Sequence, residues 1–293
     1  MRYRVTGKER AFNCINVTLM LVFAIVALYP LVYVLFASFS APSQFIRHTG
    51  LLLRPVGFTL AAYRLVLTNP MIASGYMNTV FIVVVGSAIN ITLTAMLAYA
   101  LSRKRLLWGP VLMGIVMFTM FFDGGIIPRF LLVKDLKLLD SLFSVILPYA
   151  VNTMNVIILR TFFMSIPESL EESARIDGAG DIMILFRIIL PLSGAAIAVI
   201  ILYYAVGHWN SWFSASLFIR NRSLFPLQLI LREILITNSN ESMTVDSKVS
   251  EIAELEIILR YAAIVVSTVP ILVLYPFLQK YFIKGVMIGA VKG

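Results

Sequence analysis

Charge and cysteine are what this chain has least of. Only 13% of its 293 residues are charged, and Cys14 is its single cysteine. One thiol excludes an intramolecular disulfide and any cysteine-ligated metal cluster. The two histidines, His48 and His208, lie far apart with no H-E-x-x-H pattern, so a zinc hydrolase site has no support. No G-x-x-x-x-G-K-[ST] phosphate loop occurs: Gly7-Lys8 is followed by Glu9 and lacks the first glycine, which excludes ATP binding by that route. Carboxylates are absent from six long stretches, residues 11–46, 65–102, 106–122, 141–159, 188–219 and 261–279. Proton- or sodium-coupled carriers ordinarily need an acid within the membrane, so secondary transport is disfavoured. No catalytic constellation is visible, and the expectation is a non-catalytic subunit with no metal or cofactor of its own.

What fills the chain is apolar: 60% of residues are hydrophobic and the mean hydropathy is +0.91. A soluble chain of this length does not have that composition, so an integral membrane protein is expected. Each uncharged run reaches the roughly 17–25 residues that a helix needs to cross a bilayer. Six transmembrane helices follow, at 12–38, 73–101, 107–127, 142–163, 192–217 and 259–279, in one all-α domain. The first run would extend about 54 Å as a helix against a hydrocarbon core of about 30 Å. Part of it must leave the membrane, and Ala41-Pro42-Ser43 marks the exit. Asp123-Gly124-Gly125 and Pro128 close the third run. The N-terminal apolar stretch is too long for a cleaved signal and has no small-residue cleavage site at the usual distance, so it reads as a retained span.

Basic residues set the orientation. Arg2, Arg4, Lys8 and Arg10 precede the first span, Arg103-Lys104-Arg105 follow the second, and Lys280, Lys284 and Lys292 follow the last. These clusters mark the cytoplasmic side of the membrane. Arg47, Arg54, Arg64, Arg129, Lys134, Lys137, Arg220 and Arg222 then fall outside, against the rule. The net charge of +9 fits lipid headgroups or an acidic partner and says nothing for nucleic acid.

Between two apolar spans lies a polar segment, 165–190, with the sequence SIPESLEESARIDGAGDIMILFRIIL. Ser165 with Glu168 has capping-box spacing and Pro167 suits a first turn, so a helix should start near Ile166. Leu170, Ala174 and Ile176 are expected on one side, with Glu168, Glu171, Glu172 and Arg175 on the others. Asp177-Gly178 supplies the stop, and a second short helix should end before Pro191. Such an amphipathic handle suits another protein; a plain connecting loop suits the local pattern equally.

Here a resemblance becomes specific. Glu172-Ser173-Ala174, Gly178, Ile188 and Leu190-Pro191 resemble the cytoplasmic EAA loop of permease subunits of bacterial ABC importers, with Ser173 where the pattern has Ala. FDGGIIPRFLLVKDLKLLD, LRTFFMSIPESLEESARIDGAG, YAVGHWNSWFSA and PLQLILREILI extend the likeness to carbohydrate-uptake permeases of the maltose and lipooligosaccharide kind, most weakly before residue 70. The resemblance implies a permease that pairs with a homologous permease, two ATPase subunits that bind ATP and Mg, a periplasmic or surface-tethered binding protein, membrane lipid and an oligosaccharide. It implies docking of the ATPase by Glu171, Glu172, Ser173, Ala174, Ile176, Asp177 and Gly178, with Glu172 making the charged contact, Ala174 and Ile176 the packing and Gly178 the turn. The tail KYFIKGVMIGAVKG is implied to run toward the ATPase, unless Lys280 and Lys284 only anchor the last span.

Within the spans, Asn78, Asn152, Asn155, His208, Trp209, Asn210 and Trp212 are candidate pathway residues. Amides and imidazole bond sugar hydroxyls and indoles stack on sugar rings, although the same groups also serve helix packing and interfacial belts. The connection at 220–256 reads as an external loop that meets the binding protein or is merely solvated. An acidic, alginate-like sugar and a neutral one both fit. A channel is the main alternative of another class, followed by a membrane enzyme.

Overall fold

The computed structural model describes residues 7–240 and 255–273. It is all-α: among the described residues the β pairing is limited to an isolated antiparallel bridge, Ser40 with Phe58. Helices are numbered in chain order as α1 Gly7–Ser38, α2 Pro42–Arg47, α3 Ala61–Thr68, α4 Pro70–Ser102, α5 Gly109–Phe121, α6 Ile126–Asp135 and α7 Thr153–Met164. They continue as α8 Glu168–Ile176, α9 Asp181–Ile184, α10 Leu190–Leu192, α11 Gly194–Trp209, α12 Phe213–Phe218 and α13 Leu227–Asn240, with α14 at Leu255–Val273. Among the described residues α1, α4 and α14 are each long and apolar enough to cross a membrane. The number reaches six if three bent pairs each count as one span: α5 with α6 (111°), Leu142–Tyr149 with α7 (53°), and Asp181–Leu192 with α11 (90°). The chain is an all-α integral membrane protein.

The described residues divide into two compact units, 7–69 with 234–240 and 255–268, and 70–233 with 269–273. In the first, the apolar face of α1 is left uncovered by the chain, as a lipid-facing helix is. Its C-terminal end is tied down by hydroxyls. Ser38 Oγ lies 2.7 Å from Tyr63 Oη, and Ser40 Oγ accepts the Val56 N–H at 3.0 Å. Pro42 opens α2, where a missing N–H costs nothing. Tyr33, Phe45 and Tyr261 form a ring cluster with centroids 5.5 to 6.2 Å apart.

In the second unit α4 is the axis, flanked by α7 and α11. Ala95, Ala98 and Tyr99 of α4 pack on Val156, Leu159 and Phe163 of α7, on Ala174 of α8, and on Ile184, Leu185 and Ile189. The alanines let helix backbones approach closely.

Four local expectations change. No capping box forms: Ser165 closes α7, its Oγ donating to the Phe162 carbonyl at 2.6 Å, and Pro167 rather than Ile166 precedes α8. The second short helix does not stop before Pro191. Leu185–Ile189 form a π turn, with the Leu190 N–H bonded to the Leu185 carbonyl, which widens the helix where the proline ring would meet the backbone of the preceding turn. The bend falls instead at Ser193, between α10 and α11. Leu170, Ala174 and Ile176 do not share a face, because Ile176 lies about 200° round the helix from Ala174. Lastly, much of the expected external loop is structured, as a 3-10 turn at Arg222–Leu224 and then α13. Residues 241–254 of that connection, 274–279 of the expected last span and the tail 280–293 lie outside the described residues.

Candidate functional site

Two polar regions interrupt the second unit. The first is a cavity of about 650 Å³ lined by α4, the turn before α7, α7, α11 and the break between α11 and α12. Its position follows from the sequence. Asn152 caps α7, its Oδ1 accepting the Asn155 N–H at 3.1 Å, and so both side chains meet at one helix start. α11 ends at Trp209, and Asn210, Ser211 and Trp212 form the irregular step before α12 that puts polar groups at the cavity wall. Tyr204 fastens the walls together: its Oη accepts the Asn152 N–H at 2.9 Å and lies 2.7 Å from Thr94 Oγ1 of α4.

Lining groups are amides, hydroxyls, aromatic rings and one imidazole, with the apolar side chains of Val145, Met154 and Ile158 among them and no Lys, Arg, Asp or Glu. Two buried lining atoms, Asn90 Oδ1 and His208 Nε2, have no hydrogen-bond partner in the protein. An unsatisfied buried polar atom costs about 1–3 kcal/mol, and His208 Nε2 is turned to Gly86 of α4. His208 reaches its place because residue 86 is glycine. A Cβ there would lie 2.6 Å from Nε2. Two cations stand against rings of the wall: the Arg232 guanidinium at 3.4 Å from the Trp212 ring centroid, and the Arg129 guanidinium, paired with Asp123, at 5.0 Å from that of Tyr149.

Asn152, Asn155, His208, Asn210 and Trp212 are thus brought together, and two candidates are not. Asn78 donates to the carbonyls of Ser223 (2.8 Å) and Phe225 (3.1 Å) and holds the chain ahead of α13. Trp209 is buried edge-on to Tyr76, away from the cavity. Sequence reasoning passed over Gly86 and Thr94. With Asn90 they form a stripe at i, i+4 and i+8 on α4, a signal that was legible as one small or polar face on an apolar helix.

The second region is α8 and the α4–α5 connection. α8 stops in a Schellman arrangement: Gly178 has φ 83°, its N–H bonds the Arg175 carbonyl, and the Ala179 N–H bonds the Ala174 carbonyl. An Arg175–Asp181 ion pair closes the turn. The helix presents two faces. Glu172, Ser173, Asp177 and Gly178 are exposed, and Ile176 is 86% exposed. Glu171 and Ala174, expected to dock a partner, are instead buried against the chain itself, because residues three apart share the inward face. Glu171 pairs with Arg103, whose guanidinium lies 4.5 Å from the Tyr99 ring centroid. Burial pushes the Arg103 guanidinium down from its ordinary value. Lys104 bonds Glu168 at 2.9 Å in the open, and that bond, with the lysine's charge, holds the Glu168 carboxyl below its ordinary range.

No family model matches the chain. It is 42% identical over 286 residues to the polygalacturonan/rhamnogalacturonan transport system permease protein YtcP of Bacillus subtilis, covering 98% of this chain and all of that one. The chain belongs to the permease subunits of carbohydrate-importing ABC transporters. Protein LplC of Bacillus subtilis is 38% identical over 288 residues, covering 98% of this permease and 97% of LplC. A chain from the crystal structure of a bacterial ABC transporter involved in the import of the acidic polysaccharide alginate superposes with a TM-score of 0.86 at 34% identity, covering 96% of the permease and 100% of that chain. The permease is therefore a subunit of an ATP-driven sugar importer.

Proposed function

We propose that this permease forms half of the inner-membrane pathway for an acidic, uronate-containing oligosaccharide. It catalyses no covalent step: two partner ATPase subunits bind ATP and Mg, a homologous permease supplies the other half, and a periplasmic or surface-tethered binding protein delivers the sugar. The observation that carries this reading is the uncharged, donor-rich, aromatic-walled cavity of about 650 Å³. Sugar rings stack on indole and phenol faces, and their hydroxyls exchange neutral hydrogen bonds without a charge strong enough to trap them.

Three features favour an acidic sugar. YtcP is named for polygalacturonan and rhamnogalacturonan, and the structural neighbour comes from an alginate importer. Arg232 puts a positive charge one ring's thickness behind the cavity wall. Residues 11–122 contain no Asp or Glu, and the stretch 39–69, expected outside, carries Arg47, His48, Arg54 and Arg64. Such a one-signed surface raises the local concentration of an anion. On the other side of the membrane, Glu172, Ser173, Ile176, Asp177 and Gly178 form the face of α8 that meets an ATPase subunit.

The test is stimulated ATP hydrolysis by the importer reconstituted with its genomic neighbours. Binding protein loaded with oligogalacturonate or oligo-alginate should stimulate hydrolysis, and a neutral malto-oligosaccharide of equal length should not. Stimulation by the neutral sugar alone would overturn the assignment of an acidic substrate.

A further inference from the structure

The inward face of α8 has a role that the docking face does not supply. A short helix pushed from outside does work on the spans only if it is fixed to one of them more firmly than by its two flanking turns. α8 follows α7 through Ser165–Pro167, and after it the chain passes Gly178 and Gly180, both with open space around their Cβ positions. Neither connection joins it to α4. Yet α4 is the element that spans from this end to the cavity: 33 residues without a break, about 50 Å at 1.5 Å per residue, carrying Gly86, Asn90 and Thr94.

We propose that the buried Arg103–Glu171 ion pair is the joint through which α8 moves α4, so that Glu171 and Arg103 are positioning residues for transport and not part of the ATPase contact. Four observations converge on it. Glu171 is 5% exposed and turned away from the face that carries Glu172. Arg103 stands one residue beyond the end of α4 and is locked there: its Nε and an Nη donate to Ser102 Oγ at 3.0 and 2.8 Å, and its guanidinium covers the Tyr99 ring. Ser102 Oγ in turn donates to the Tyr99 carbonyl at 2.7 Å, and Tyr99 packs edge-on to Phe163 of α7. Arg160 of α7 donates to the Leu101 carbonyl at 2.8 Å, closing the same corner from the other side. Parting a charged pair with little access to water would leave a buried charge uncompensated, so the pair resists separation. The neighbouring Lys104–Glu168 pair is open to solvent, which makes it a matched control.

The proposal rests on α8 receiving the ATPase, and its test separates the two claims. In the assembled importer, with Cys14 replaced by serine, spin labels are placed at Leu170→Cys on α8, off the docking face, and Met77→Cys near the far end of α4, and the interlabel distance is measured without nucleotide and with ATP trapped. The expected result is one unchanged distance in both states, because the two helices move as a body. With Glu171→Gln the distance should shift and broaden in the ATP state, and ATP hydrolysed per sugar imported should rise several-fold, while ATPase subunits still copurify. Glu168→Gln should change neither. An unaltered joint whose distance shifts between states as much as that of Glu171→Gln overturns the proposal. So does Glu171→Gln that leaves coupling intact or releases the ATPase, since release would place Glu171 in the docking contact. Failure of the docking assignment shows elsewhere, as ATPase association that survives Glu172→Lys.

Discussion

The α8 end and the cavity are both polar regions in an apolar unit, and they are made from different chemistry. Around α8 the polar groups are charges in complementary pairs: Arg103 with Glu171, Lys104 with Glu168, Arg175 with Asp181. Around the cavity they are neutral amides and hydroxyls with one imidazole. Neutral hydrogen bonds are worth about 0.5–1.5 kcal/mol net each and can be exchanged one at a time as a sugar slides past. The Arg103–Glu171 pair, with little access to water, resists separation, because parting it would leave a buried charge uncompensated. On the proposed reading the cavity must let go of its sugar in every cycle and the joint at α8 must not part, and each has the chemistry its task requires.

The comparison is broken most severely by reversing charge on the exposed face of α8. Glu172→Lys should weaken association with the ATPase at least about tenfold, or about 1.4 kcal/mol, and abolish stimulated hydrolysis, as measured by copurification and by ATPase assays on the reconstituted complex. On the cavity side, Gly86→Ala places a methyl 2.6 Å from His208 Nε2, so the buried imidazole must be displaced from its place. Overpacking of this kind costs about 1–3 kcal/mol. The expected outcome is a lower melting temperature and impaired import with ATPase copurification intact. Thr94→Val is milder, removing one side of the Tyr204 bridge at a cost of about 1 kcal/mol in melting experiments, and it should alter sugar affinity before it alters assembly.

How much of this could be read in the sequence depends on how local each signal is. The membrane class, the polar helix between spans and its stop at Gly178 rest on neighbours in sequence, and these were legible. So were the amides at Asn152 and Asn155, one turn apart, and the polar break at Asn210. The Arg103–Glu171 pair was not. Its partners are remote in sequence, and Arg103-Lys104-Arg105 already had a sufficient explanation as a basic cluster at a span end. Asn78 looked like a pathway amide because an amide within a span is ambiguous until its partner is known, and its partners lie beyond residue 220. The π turn ahead of Pro191 escaped for a related reason: a proline marks a helix break locally, but whether the chain breaks or widens is decided by packing around Leu185 and Ile189, both buried.

The gentlest prediction uses protons to tell the two regions apart. Lys104, through its hydrogen bond and then its charge, holds the Glu168 carboxyl below the ordinary glutamate value of 4.5. A carboxylate depressed on folding stabilises the native state above its unfolded value, and that stabilisation is lost as pH falls through the lower, folded one. Melting temperature should therefore begin to fall below about pH 4.5, and Glu168→Gln should remove that part of the slope. The pair is open to water, so the effect is small and shrinks further in high salt. The amides and hydroxyls that line the cavity do not titrate in this window, so Thr94→Val should shift the whole curve without changing its acid slope. A slope that responds to Thr94→Val and not to Glu168→Gln would mean that acid acts on the cavity, and the division between a charged joint and a neutral path would fail.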